Sequence, residues 1–131
     1  MYTIGETADL LGLSTHTLRY YEKENIIEPG RTVNGVRIYN DDQLAWLRFV
    51  VKLKQTQMPI AQIRKYAQLY LEGEHTAYAR LQLLENHRKS IHQQIKTLEA
   101  TEKMLDDKIA AYKESIKKKN TNNKQNDKSI K

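Results

Sequence analysis

Between residues 76 and 117 the chain has no proline and no glycine, and its apolar side chains return at alternating intervals of three and four. Leu81, Arg88, Ile95, Glu102, Ile109 and Ile116 fall on one seam position. Leu84, Ile91, Leu98, Leu105 and Tyr112 fall on the other. Nine of these eleven residues are apolar, sustained over about five heptads, which is the pattern of a coiled-coil helix. One helix cannot bury such a stripe by itself, and the elements upstream are too short to cover it. A second copy of the same helix is the simplest partner, which predicts a homodimer. Arg88 and Glu102 interrupt the seam 14 residues apart, with Ile95 midway. In an antiparallel pair centred near Ile95 they face each other across the interface. In a parallel pair Arg88 meets Arg88, so the charges favour the antiparallel arrangement.

The first 73 residues read differently. Thr3 with Glu6 forms a capping box, and Ile4, Ala8 and Leu11 give the helix after it one apolar face. Gly12 stops that helix and Ser14 caps the next. Two short helices around a glycine-containing turn make a helix-turn-helix candidate, with Ala8, Leu11, Leu13, Leu18 and Tyr21 as its small core. Pro29-Gly30 ends the unit. Asn34-Gly35 then predicts a two-residue type I′ hairpin, with strands at Arg31–Val33 and Val36–Tyr39. Alternation puts Arg37 and Tyr39 on one face and Val36 and Ile38 on the other. Asn40 with Gln43 caps a third helix, and Pro59 fits the first turn of a fourth.

The net charge of +6 invites a nucleic-acid reading, but its distribution weakens that reading. Residues 113–131 hold 7 lysines against 2 acidic residues, a net of +5, whereas residues 1–40 hold 4 basic against 5 acidic residues, a net of −1. DNA contact therefore has to rest on individual side chains. The lysine-, asparagine- and glutamine-rich segment 118–131 is expected to be a disordered basic tail. The chain contains no cysteine, which removes disulfides, thiolate metal sites and a cysteine nucleophile. No long uncharged apolar run predicts a membrane span, and polar residues from Thr3 onward argue against a signal peptide. A cytoplasmic location is expected. No nucleophile–base set, metal-ligand spacing or glycine-rich phosphate loop stands out, so neither an enzyme, nor a metal, nor a cofactor is expected.

Tyr2-Thr3-Ile4-Gly5-Glu6, Leu13-Ser14-Thr15-His16-Thr17-Leu18-Arg19-Tyr20-Tyr21-Glu22 and Asn34-Gly35-Val36-Arg37-Ile38-Tyr39 together resemble the MerR family of bacterial transcriptional regulators. The resemblance extends to about residue 116. Lys52-Leu53-Lys54, Met58-Pro59-Ile60 and His87-Arg88 are similar to the small subgroup of aldehyde- and thiol-stress regulators. It implies a mainly α fold: a winged helix-turn-helix module with the third and fourth helices over 1–73, a dimerisation helix in an antiparallel coiled coil over 74–117, and the tail over 118–131. It also implies a homodimer on double-stranded DNA. The target is a promoter palindrome in an overlong spacer, which the dimer distorts beside RNA polymerase.

Four departures stand out. His16 and Val36 replace a usual arginine and a usual wing aromatic, Gln57 stands where a glycine is usual, and the electrophile-sensing cysteine near Lys52 is absent. Little chain follows the dimerisation helix, so no large drug-binding domain is expected.

The residues expected to touch DNA are Thr15, His16 and Thr17 in the first turn of the recognition helix, then Arg19 and Tyr20, and Arg37 and Tyr39 on the wing. Arg31 and Lys54 are weaker candidates. Tyr66, Tyr70 and Tyr78 are candidates for a small effector pocket, with packing the stronger reading. The competing function is a coiled-coil architectural or interaction protein with loose nucleic-acid affinity from its tail.

Overall fold

The computed structural model describes residues 1–130, and side chains through residue 123. The elements run β1 (Tyr2–Thr3), α1 (Ile4–Leu11), α2 (Thr15–Lys23), β2 (Gly30–Arg31), β3 (Arg37–Tyr39), α3 (Asp41–Gln55), α4 (Ile60–Glu72), a 3₁₀ turn (Glu74–Thr76) and α5 (Ala77–Ile130). Two compact units result, Met1–Arg88 and the chain from Lys89 onward.

Local chemistry sets the helix starts. At α1 the Glu6 amide donates to Thr3 Oγ1 at 3.1 Å, and the Thr3 amide donates to Glu6 Oε1 at 2.9 Å. Asn40 and Gln43 repeat this reciprocal cap at α3, at 2.8 and 2.9 Å. Ser14 caps α2 by accepting from the Thr17 amide at 3.1 Å. Pro59 is the residue before α4, and its carbonyl accepts from the amides of Gln62 and Ile63.

Three helices end the same way, with a left-handed residue and a pair of nested hydrogen bonds. Gly12, Asn25 and Gln57 have φ of 67°, 60° and 70°. After α3 the Met58 amide donates to the Leu53 carbonyl and the Gln57 amide to the Lys54 carbonyl, while buried Met58 and Leu53 join the same apolar cluster. This is the Schellman arrangement, in which a left-handed residue lets the chain turn and satisfies the last carbonyls.

The hairpin differs from the expected type I′ turn, which needs positive φ at both Asn34 and Gly35. Only Gly35 has it, at 81°. The Gly35 amide donates to the Thr32 carbonyl and the Thr32 amide to the Val36 carbonyl, both at 2.9 Å. The loop is thus three residues, Val33 to Gly35, with Gly35 as the bulge glycine that follows a tight turn. The strands are correspondingly shorter. A third strand escaped the sequence reading: β1 pairs with β3, Tyr2 opposite Tyr39, and β3 pairs with β2, Arg31 opposite Arg37. β3 is therefore central in the order β1-β3-β2.

The core of the first unit gathers Ala8, Leu18, Tyr21, Tyr39, Leu47, Val50, Leu53, Met58 and Ile63, with Leu11, Leu13 and Leu83 half-buried around it. Apolar burial of this kind is worth about 25 cal/mol per Å². In α5 the heptad positions stay open: Ile95, Leu98, Leu105, Ile109 and Ile116 are all 46% exposed or more. α5 also runs on to Ile130, so residues 118–130 are helical where a disordered tail was expected. That stretch has no glycine or proline to stop a helix already under way. Lys131 lies outside the described residues.

Candidate nucleic-acid interface

α2 turns Leu18 and Tyr21 into the core and leaves its other side outward. His16, Arg19 and Tyr20 are exposed there, and Thr15 and Thr17 are half-buried. The Thr17 hydroxyl shares a 2.9 Å hydrogen bond with Ser14 Oγ, which ties it to the helix cap. Tyr20 lies 6.1 Å from the Tyr21 ring at 45°. Tyr20 is 40% exposed. Among the described residues Arg19 forms no ion pair with Glu22 or Glu24, both of which hold other arginines. Glu24 pairs with Arg64, whose Nε also donates to the Glu24 carbonyl at 3.0 Å. Glu22 belongs to the hairpin.

That pairing joins the helix to the wing. Arg37 Nη2 donates to Glu22 Oε2 at 3.0 Å, and its Nε lies 3.2 and 3.3 Å from the two carboxylate oxygens. Arg31 Nη2 donates to Glu22 Oε1 at 3.0 Å, and its Nη1 to the Gly35 carbonyl at 3.3 Å. One carboxylate thus bridges two arginines. The hydrogen bonds from Arg37 hold the Glu22 carboxyl below the usual carboxylate range, and Glu22 in turn raises Arg37. From sequence Glu22 stood only in the family motif and as a possible surface partner of Arg19, and Arg31 ranked low. The only available signal was the opposite charge of three residues that local spacing does not bring together.

Tyr39 is a correction. It shares a strand face with Arg37, as alternation requires, but that face is turned inward. Tyr39 is 0% exposed, and its hydroxyl has no hydrogen-bond partner among the described residues. Burial, then the nearby Glu22, raises its pKa. A central strand packed on helices has one buried face, and the large ring fills it while Arg37 reaches the rim. Tyr39 therefore supports the wing from beneath and presents nothing to a ligand surface.

The three tyrosines of the candidate effector pocket do not come together. Tyr66 stacks on Trp46, with centroids 5.7 Å apart and planes 11° apart, and Phe49 leans on both rings. Trp46 Nε1 donates to the Ile26 carbonyl at 2.8 Å, so this cluster ties α3 and α4 to the turn after α2. An open groove of about 1030 Å³ runs beside it, lined by Tyr66 and Tyr70 together with Ile26, Glu28, Asp42 and Phe49 among others. Tyr78 is not among its lining residues and is 73% exposed. Arg80 lies over the Tyr70 ring, 5.4 Å from its centroid. Among the described residues no group of three His, Asp or Glu side chains is placed to hold a metal ion, and no helix is long and apolar enough to cross a membrane.

A recognition helix with an outward Arg-Tyr face, braced against a basic hairpin and followed by a long apolar-striped helix, defines a winged helix-turn-helix DNA-binding regulator. Residues 2–69 match the MerR HTH family regulatory protein model, and residues 44–108 the MerR DNA-binding model. The chain belongs to the MerR family of transcriptional regulators. It is 35% identical over 115 residues to an HTH-type transcriptional regulator of Haemophilus influenzae, covering 87% of this chain and 85% of that one. It is 32% identical over 89 residues to the regulator AdhR of Bacillus subtilis, covering 67% and 64%. Among solved structures it is similar to HiNmlR, a MerR family regulator lacking the sensor domain, bound to promoter DNA. That match has a TM-score of 0.81 and 35% identity and covers 86% of this chain and 90% of that one. A MerR family transcriptional regulator of Listeria monocytogenes gives a TM-score of 0.82 at 32% identity, with 86% of each chain covered.

Proposed function

We propose that this regulator acts as a homodimer on a palindromic promoter spacer in the cytoplasm, distorting the duplex beside RNA polymerase to control transcription. The observation that carries the reading is the bridge from Glu22 to Arg31 and Arg37. It fixes the wing against the recognition helix, so one rigid surface offers His16, Arg19, Tyr20, Arg31 and Arg37. Arginine and tyrosine on such a surface suit phosphate and base-edge contact. Thr15, at the first turn, lies where helix amides favour phosphate. The exposed stripe of α5 supports the dimer, because an uncovered apolar seam of this length seeks an identical partner.

With no cysteine in the chain, an effector is not sensed by thiol chemistry. A small organic ligand would find Tyr66 and Tyr70 at the open groove beside Trp46. The test is a DNase footprint of the purified protein on the promoter next to its own gene, at near-physiological salt. A protected palindrome with hypersensitive cleavage at its centre is expected, since a bent duplex opens to the nuclease. Loss of all protection when residues 118–131 are removed would instead favour loose binding through the basic segment.

A further inference from the structure

Arg31 and Arg37 each have five N–H donors, and each spends two of its three nitrogens on fixed partners. Arg37 gives its Nε and one Nη2 hydrogen to Glu22, in a side-on fork. Arg31 gives one Nη2 hydrogen to Glu22 and one Nη1 hydrogen to the Gly35 carbonyl. Their shared acceptor is well seated, because the Glu22 side chain is only 22% exposed, against 45% for Arg31 and 26% for Arg37. A carboxylate seated in an arginine fork has the charge and the planar oxygen pair of a phosphate edge. Arg19, by contrast, makes no ion pair among the described residues and stands exposed on the same helix as Glu22. The surface therefore contains one free guanidinium and two that are already partly neutralised.

We propose that Glu22 is a specificity-determining residue: an internal anion that occupies the wing-arginine donors a DNA phosphate would otherwise take, so that phosphates alone gain little from the wing. Any duplex presents phosphates, and non-specific affinity rises with every unmasked cation. With Glu22 in place, the wing arginines offer only their remaining N–H groups, in a geometry set by the fork. Those groups reach phosphate only when the recognition helix is seated on its own site. Glu22 thus lowers binding to arbitrary DNA more than binding to the operator, and raises the ratio between them. The inference rests on the DNA-binding reading of the preceding section.

The test compares the full-length wild type with Glu22→Gln, which keeps the shape and removes the charge. Each is titrated onto a random-sequence 30-base-pair duplex and onto the footprinted operator, over a series of salt concentrations. Unmasking one cation per protomer, two per dimer, is expected to steepen the slope of log K against log salt on random DNA by about 1 to 2. Random-duplex affinity should rise about 3- to 10-fold at low salt, with a smaller gain on the operator. Glu114→Gln, a charge-matched change on α5, should leave both unchanged. If Glu114→Gln has the same effect, bulk charge explains the result and the proposal falls. It falls equally if Glu22→Gln leaves the random-duplex slope and affinity as in the wild type, or weakens both duplexes alike. Should Glu22→Gln fail to fold, Glu22→Asp takes its place, since one methylene less opens the fork with the charge retained; it is expected to raise random-duplex affinity in the same direction by less. Absence of any operator binding by the wild type would overturn the DNA reading itself, a result distinct from all of these.

Discussion

The ring of His87 in α5 meets the hydroxyl of Thr56, the last residue capping α3, with Nε2 and Oγ1 2.7 Å apart across 31 positions of sequence. The Thr56 hydroxyl donates its hydrogen to the carbonyls of Lys52 and Leu53, at 2.9 and 3.1 Å. His87 is 6% exposed. This hydrogen bond anchors the beginning of α5 to the end of α3 within the first unit.

Replacing His87 with Ala removes that hydrogen-bond partner and opens a void in a buried position. A loss of about 2 kcal/mol is expected in urea unfolding. A double-mutant cycle with Thr56→Val should return a coupling of about 1 kcal/mol. Additive losses would mean that the ring acts by packing alone.

Gln57 holds φ at 70°, where a side chain strains the backbone and glycine does not. Gln57→Gly is expected to stabilise the protein by about 0.5–1 kcal/mol, after the extra freedom of the unfolded chain is subtracted. A fall in the denaturation midpoint would show that the Gln57 side chain makes contacts that outweigh the strain.

Tyr39→Phe removes a buried hydroxyl that has no partner among the described residues. Such a change is expected to leave stability equal or raise it by up to about 1 kcal/mol, and to leave operator affinity untouched. Arg19→Ala and Arg37→Ala should each weaken operator binding by about 1–3 kcal/mol while thermal unfolding still shows a folded protein. A DNA defect in Tyr39→Phe as large as theirs would put the hydroxyl back at the interface.

Glu22 titrates below the ordinary glutamate value because Arg37 holds its charged form. A lowered folded-state pKa adds stability that is full above the unfolded value, about 4.3, and is lost as pH falls through the folded one. The wild type should therefore exceed Glu22→Gln in melting temperature at pH 7, by an amount matching about 1 kcal/mol or less. The two should converge as the pH drops below about 4. A constant gap from pH 7 to pH 3 would assign the difference to packing.

An antiparallel pairing of the α5 seam, the arrangement proposed from its charges, would set Arg88 against Glu102 of the other copy. Arg88→Glu or Glu102→Arg alone should weaken the dimer in sedimentation equilibrium, by about 1 kcal/mol per new like-charge contact. The double exchange should recover it. Failure of the double variant to recover would favour a parallel pair.

Much of this protein is written in short stretches of its sequence. The caps at Thr3, Ser14 and Asn40 act on amides three residues away, so they are legible without any tertiary knowledge. The heptad seam of α5 is legible for the same reason, since a helix repeats its faces every few residues. Gln57 was readable only as a departure from a family pattern, because its backbone angle follows from how α3 and α4 must join around Met58.

The hairpin shows the boundary most clearly. Asn34-Gly35 marked the turn correctly, yet which residue took the left-handed position depended on the register between β2 and β3. That Arg37 and Tyr39 share a face followed from strand alternation alone. Which way the face points was decided by β1 and the helices, which made β3 central and drew the Tyr39 ring inward. The bridge from Glu22 to Arg31 and Arg37 spans 9 and 15 positions. Ionic attraction has no sequence period, so only the folded chain could choose which acid met which base. The helices and their seam were determined by interactions within about a turn of the chain. The surface offered to DNA was decided by contacts that exist only after those helices pack.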